Sequence, residues 1–316
     1  MTVTTTAPPV QGPASVGRID PRLAAMMRRA TWAAVATAGL LIVAKFAAYV
    51  ATDSVSVLST LLDSMLDAAA SMVNLVAVRT ALQPPDREHR FGHGKAEPLA
   101  GLGQSTFIAG SALFLLFEVG NRLFNPQPVE RGAVGIAVML FSIVVTIVLV
   151  VYQRRVIRET RSMAITADSL HYVSDVLVNS SVIVALLLAT HLGWRFVDPL
   201  FGAGIAAYIL FTAWKIARGA FDMLMDRELP DSARARIRAL ALANPAVRAV
   251  HDLRTRGAGP KSFVQLHLEM DAGISLIEAH KVSDDVERTI VSEFPGAEVI
   301  IHQDPEGIDE PRATFA

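Results

Sequence analysis

Six separate stretches of this chain are each long and apolar enough to cross a lipid bilayer. A hydrocarbon core of ~30 Å takes about 20 residues of helix, whereas a spanning strand would need only about 9–11. The stretches run over Ala30–Thr52, Val55–Arg79, Pro98–Phe124, Gly132–Tyr152, Met163–Leu192 and Phe196–Met223. In lipid the backbone must satisfy its own hydrogen bonds, so runs of this length predict helices. Only Asp53 and Ser54 separate the first two, which predicts a tight turn. From Asp222 onward the composition is that of a soluble domain.

Basic residues alternate between the loops. Arg18, Arg22, Arg28 and Arg29 precede the first span, Arg79, Arg87, Arg90 and Lys95 follow the second, and Arg154, Arg155, Arg158 and Arg161 follow the fourth. The opposite loops hold Arg122, Arg131 and Arg195. The positive-inside rule then places both termini in the cytoplasm. Met1–Gly17, rich in Thr, Pro and Ala, lacks the pattern of a secretory signal and reads as a disordered tail. Lys45 and Glu118 lie near the ends of their spans, where snorkelling to the headgroups is expected.

The soluble part predicts a small α+β domain of order αββαβ. A helix opens at Pro230-Asp231 and ends near Asn244-Pro245. Strands follow over Val247–Arg256 and Phe263–Met270, then a helix over Ser275–Glu293 and a last strand over Glu298–His302. In the second strand Val264, Leu266, Leu268 and Met270 share one face, and Gln265, His267 and Glu269 the other. The expected divisions are a tail over 1–17, a six-helix transmembrane domain over 18–226, a cytoplasmic domain over 227–305 and a tail over 306–316.

Chemistry concentrates in three clusters of histidine and aspartate. Asp63 and Asp67 are four residues apart in the second span, and His171 and Asp175 four apart in the fifth. Residues at i and i+4 share a helix face, so two facing helices offer three carboxylates and one imidazole. An ionised aspartate at mid-bilayer costs about 2.5–3.5 kcal/mol, which a bound cation or proton offsets. Such donors suit a zinc-like ion, and metal entry would displace protons. Asp168, one turn earlier, reads as a helix-end residue, an extra ligand or a proton relay. Asp86, His89 and His93 form a second set in the cytoplasmic loop, either three ligands or a solvated turn. His251, His267, His280, His302 and Asp304 form a third in the soluble domain. His191, in an outer loop, is assigned no role.

Other classes find little support. Cysteine is absent, which removes thiolate sites and disulfides. The net charge of −1 and the lack of a basic, aromatic-rich patch argue against nucleic acid. No H-E-x-x-H, G-x-S-x-G or P-loop is present, which disfavours an enzyme and a nucleotide-driven pump. A membrane-bound metal sensor without transport remains an alternative, and an intramembrane metalloenzyme a weaker one.

The text LDSMLD over Leu62–Asp67, FGHGKAEPLAGL over Phe91–Leu102, ADSLHYVSD over Ala167–Asp175, HDLRTR over His251–Arg256, then HLEMD and IIHQDP, resembles the cation diffusion facilitator family, in its bacterial zinc and ferrous-iron efflux type. The resemblance implies a homodimer in the bacterial inner membrane that exports Zn2+, or Fe2+ or Cd2+, by proton antiport. It implies a transport site at Asp63, Asp67, His171 and Asp175, with His171, Asp67 and Asp175 coupling protons. It also implies a loop site at Asp86, His89 and His93, and a binuclear site at His251, His267, His280, His302 and Asp304 in a metallochaperone-like domain. Leu170 matches a hydrophobic gate, and Lys95 and Asp226 an ion pair that interlocks the protomers. The partners so implied are membrane lipid, divalent metal ions and protons, with no nucleotide.

Overall fold

The computed structural model describes residues 19–124, 133–192 and 197–308. The amino-terminal tail, Arg131 and Arg195 lie outside them, as does the side chain of His191 at the end of a helix rather than in a loop. The chain forms two compact units, one built on Pro21–Met225 and the other on Asp226–Gly257 and the residues from Lys261.

The first unit holds six long helices: α1 (Pro21–Thr52), α2 (Val55–Ala81), α3 (Ala96–Phe124), α4 (Ala133–Thr160), α5 (Met163–Leu192) and α6 (Val197–Leu224). Two outrun their apolar stretches at the arginine-bearing ends. Proline suits the first helical position, and α1 starts at Pro21, so Arg22, Arg28 and Arg29 are helical. α4 continues through Arg154, Arg155 and Arg158. Among the described residues, five helices (α1, α2, α3, α4 and α6) combine the length and apolar content of a membrane span. α5 is 30 residues long and carries Asp168, His171 and Asp175.

Two turns are short. Between α1 and α2, Asp53 takes φ 47° and its N–H donates to the Tyr49 carbonyl at 2.7 Å. Between α4 and α5, Arg161 takes φ 51° and donates to Ile157 at 2.8 Å. Both are left-handed caps that close one helix and release the chain into the next.

Packing within this unit relies on small residues. Met27, Ala30, Val78, Val156, Ala164 and Ile165 join α1, α2, α4 and α5 in one buried cluster. Ile108, Ala112, Ala167, Ile209, Ala213 and Ile216 join α3, α5 and α6 in another. Alanine at such contacts lets helix backbones approach closely. Phe46, Val50, Phe114, Phe117 and Phe211 point outward, as a surface facing lipid requires.

A buried polar cluster ties α5 to α2 and α4. Gln153 Nε2 donates to Asp168 Oδ2 at 2.7 Å, and Ser71 Oγ stands 3.4 Å from Oδ1 and 2.8 Å from the Tyr172 hydroxyl. Asp168 is therefore an interior residue with hydrogen-bond partners, not a helix-end residue.

The second unit has α7 (Asp231–Leu242), β1 (Ala249–Ala258), β2 (Lys261–Met270), α8 (Leu276–Glu293) and β3 (Ala297–Pro305). The sheet order is β1-β2-β3, with β2 and β3 parallel from Ser262↔Ala297 to Met270↔Pro305. This is the small α+β fold expected. Ile237, Val264, Leu266, Leu268, Val286 and Ile290 lie in its core, where α7 and α8 cover one sheet face. Ser275 and Glu278 close a capping box at the start of α8. β3 runs past the expected end at His302, so Asp304 sits on the ladder opposite Glu269.

Candidate metal centres

α2 and α5 meet where their acidic faces point at each other. His171 Nε2 lies 2.9 Å from Asp67 Oδ1 across the two helices, and 3.7 Å from Asp175 Oδ2 one turn along α5. The imidazole is buried, and Phe107 packs edge-on against it with centroids 5.7 Å apart. Ligand atoms of Asp67, His171 and Asp175 all fall within 4.8 Å of one another. Leu170, the residue before His171, packs partly buried against the apolar cluster of α3, α5 and α6.

Two expectations change here. Asp63 shares the α2 face but is exposed and stands outside the three-residue group, so the structure brings together three of the four expected residues. Lys45 does not reach for the headgroups. Its Nζ donates to Ser64 Oγ at 2.6 Å and to the Thr60 carbonyl at 3.0 Å, because α2 offers two oxygen acceptors one turn apart beside the stem.

The loop cluster assembles as spaced. His89 Nδ1 and His93 Nε2 each lie 3.3 Å from a different oxygen of Asp86, and the two rings are 4.6 Å apart. Asp86 also accepts from the backbone N–H groups of His89 and Glu88, which fixes the turn. These bonds, that from His89 foremost, hold the Asp86 carboxyl below its usual range.

In the second unit Asp304 is the hub. Its Oδ2 lies 2.8 Å from His267 Nδ1 and 3.2 Å from His251 Nε2, and its Oδ1 lies 3.1 Å from His302 Nε2. The parallel register sets His267 beside His302 and explains the grouping. His280 is not brought in. It is exposed on α8 and faces Asp284 at 3.7 Å, since α8 is amphipathic and buries Ala279, Ser283, Val286 and Ile290 instead.

Sequence reasoning missed Asp252 and Glu269. His251 Nδ1 lies 3.5 Å from Asp252 Oδ2 and its Nε2 3.3 Å from Glu269 Oε1. Adjacent strand residues normally point to opposite faces. Asp252 takes φ 46°, which breaks the alternation and turns its carboxylate toward its neighbour. Glu269 was legible, being two residues from His267 on the same strand face. Lys95 Nζ donates to the Leu224 carbonyl at 3.3 Å, and Asp226 accepts from Arg256 at 3.3 Å.

Comparison with known proteins decides the family. The cation efflux transmembrane domain matches residues 31–225, and the cytoplasmic domain of cation efflux proteins matches 229–306. The chain belongs to the cation efflux family. As a cation diffusion facilitator it is similar to the cation-efflux pump FieF of Klebsiella pneumoniae, at 48% identity over 283 residues, covering 90% of this chain and 94% of that one. It is 49% identical to FieF of Citrobacter koseri over 280 residues, 89% and 93% of the two chains. It is 47% identical to FieF of Serratia proteamaculans over 287 residues, 91% and 95%. This cation diffusion facilitator is thus a multi-pass membrane transporter and not an enzyme. Its carboxylate and imidazole donors suit a divalent metal cargo.

Proposed function

We propose that the chain exports Zn2+, with Fe2+ and Cd2+ as related cargo, from the cytoplasm in exchange for protons. The observation that carries this reading is the approach of His171 to Asp67 between two apolar helices, with Asp175 beside them. Imidazole with carboxylates favours zinc or iron(II) over manganese, which prefers all-oxygen sites. Asp63, four residues before Asp67, or a water completes a tetrahedral set. Metal binding needs deprotonated ligands, so cargo and protons compete for the same atoms. That competition couples their opposite movements, with Asp67, His171 and Asp175 as the exchanging groups.

The arginine pattern and the six long helices support a topology of six spans in the inner membrane with both termini cytoplasmic. Alternating access then proceeds as the helices carrying the site rock against the others, with Leu170 as the apolar gate. The domains are 18–226 for transport and 227–305 for cytoplasmic metal binding. Asp86, His89 and His93 form an accessory loop site. His251, His267, His302 and Asp304, with His280, form a regulatory centre in a homodimer interlocked by Lys95 and Asp226.

The test is zinc uptake into proteoliposomes under an imposed pH gradient. Wild type accumulates zinc, and Asp67→Ala does not. Equal uptake by the two proteins rules out the intramembrane site.

A further inference from the structure

Lys45 places an ammonium against the acidic face of α2, in a segment of α1 otherwise made of apolar residues. Its two acceptors, Thr60 and Ser64, flank Asp63 and precede Asp67 by two turns and one turn. The ammonium is near enough to Asp67, Asp175 and Asp63 to attract each of them. It also forms part of the wall of a cavity of about 30 Å3, with Thr60, Ser142 and Asn179. Asn179 donates to the Asp175 backbone carbonyl at 2.8 Å, so that cavity reaches within one turn of the metal-binding face of α5.

We propose that Lys45 is a tethered counter-cation of the transport site, which offsets the carboxylates between cargo ions and repels the bound metal so that it leaves. The inference rests on the reading of Asp67, His171 and Asp175 as the transport site. Carboxylates gathered in a low-dielectric bundle oppose one another when no cargo is present, and a fixed positive charge relieves that repulsion. When a divalent ion enters, the same charge opposes it. The hold on the metal weakens, and release quickens. Room for a water at the lysine gives the departing ion a polar surface on that side.

Removing the charge should therefore tighten binding and slow turnover together. A lysine with only a packing role would reduce rate or yield without tightening. Lys45→Met keeps the length of the stem, and the Thr60 carbonyl lies inside α2, where the helix supplies it a second partner.

The experiment is zinc uptake by the full chain in proteoliposomes over a range of zinc concentrations, for wild type, Lys45→Met, Lys45→Arg and Asp67→Ala. Lys45→Met should lower KM by about tenfold or more, a factor equal to about 1.4 kcal/mol. Its maximal rate should fall, and Lys45→Arg should retain both values. An unchanged or raised KM in Lys45→Met overturns the proposal. If that variant does not fold, Lys45→Gln, uncharged but still a donor, is held to the same outcomes. Wild-type transport by Asp67→Ala would instead remove the site itself. An inactive Asp67→Ala beside an unaltered KM in the lysine variant removes only the role of Lys45.

Discussion

His251 and Asp304 stand on the two outer strands of the cytoplasmic sheet, yet His251 Nε2 lies 3.2 Å from Asp304 Oδ2. Neighbouring strands run ~4.8 Å apart, so about 10 Å of sheet is bridged above β2. One carboxylate therefore holds all three strands through imidazoles. Asp304→Asn should lower zinc affinity of this cluster by at least about tenfold. The check is the zinc-induced rise in melting temperature of the cytoplasmic unit, measured in an Asp67→Ala background so that the intramembrane site is silent. The rise should shrink in the double variant.

The cargo preference should follow the donor at position 171. His171→Asp replaces the imidazole with oxygen and leaves an all-carboxylate set with Asp67 and Asp175. Soft-to-borderline ions lose more from this change than manganese does. Competition between zinc and manganese in the uptake assay should shift toward manganese, and an unaltered ratio would separate selectivity from this histidine.

Glu278 contributes to the start of α8 in a pH-dependent way. The Ser275 hydroxyl, then the Ser275 N–H, holds its carboxyl below the ordinary range. A depressed carboxyl stabilises the fold above its unfolded value of ~4.3, and the benefit disappears as pH falls through its folded value. The stability difference between wild type and Glu278→Gln should be present at neutral pH and fade as pH falls from ~4.3 through the lower folded value. Ser275→Ala should cost about 1 kcal/mol at neutral pH through the lost cap. Urea unfolding of the cytoplasmic unit reads both.

Gly202 is buried where α6 meets α3, and a Cβ there would stand 2.5 Å from Val119 Cγ2. Valine is branched at Cβ and has little rotamer freedom in a helix. Gly202→Val should destabilise the helical unit by about 1–3 kcal/mol, through overpacking. Thermal melting in detergent should show a transition several degrees lower, and Gly202→Val with Val119→Ala should recover part of the loss.

The fold was legible because each level of the pattern agreed with the next. Length and apolar content named the long helices, and strict alternation in Val264–Met270 named the central strand. Helix ends were harder, because arginines beyond the apolar run of α1 or α4 continue the helix by propensity and not by hydrophobicity. The pairing of His171 with Asp67 followed from helix periodicity, with the family motifs behind it. The direction of Lys45 did not, since a long flexible stem reaches either headgroups or a neighbouring helix, and only the packing of α1 on α2 decides. The exposure of Asp63 and the distance of His280 from the cytoplasmic cluster likewise depend on helix rotation. Asp252 was hidden by the alternation rule that its own left-handed backbone breaks.

The left-handed turns at Asp53 and Arg161 leave no slack. Two linking residues span at most about 7 Å even when fully extended. α2 and α5, which hold Asp67, His171 and Asp175, are each leashed at one end to α1 and α4, and α1 in turn packs on α4. Neither helix can slide along its axis alone. Movement of α2 or α5 at these turns therefore pulls on α1 or α4, while α5 is also held by its buried packing against α3 and α6.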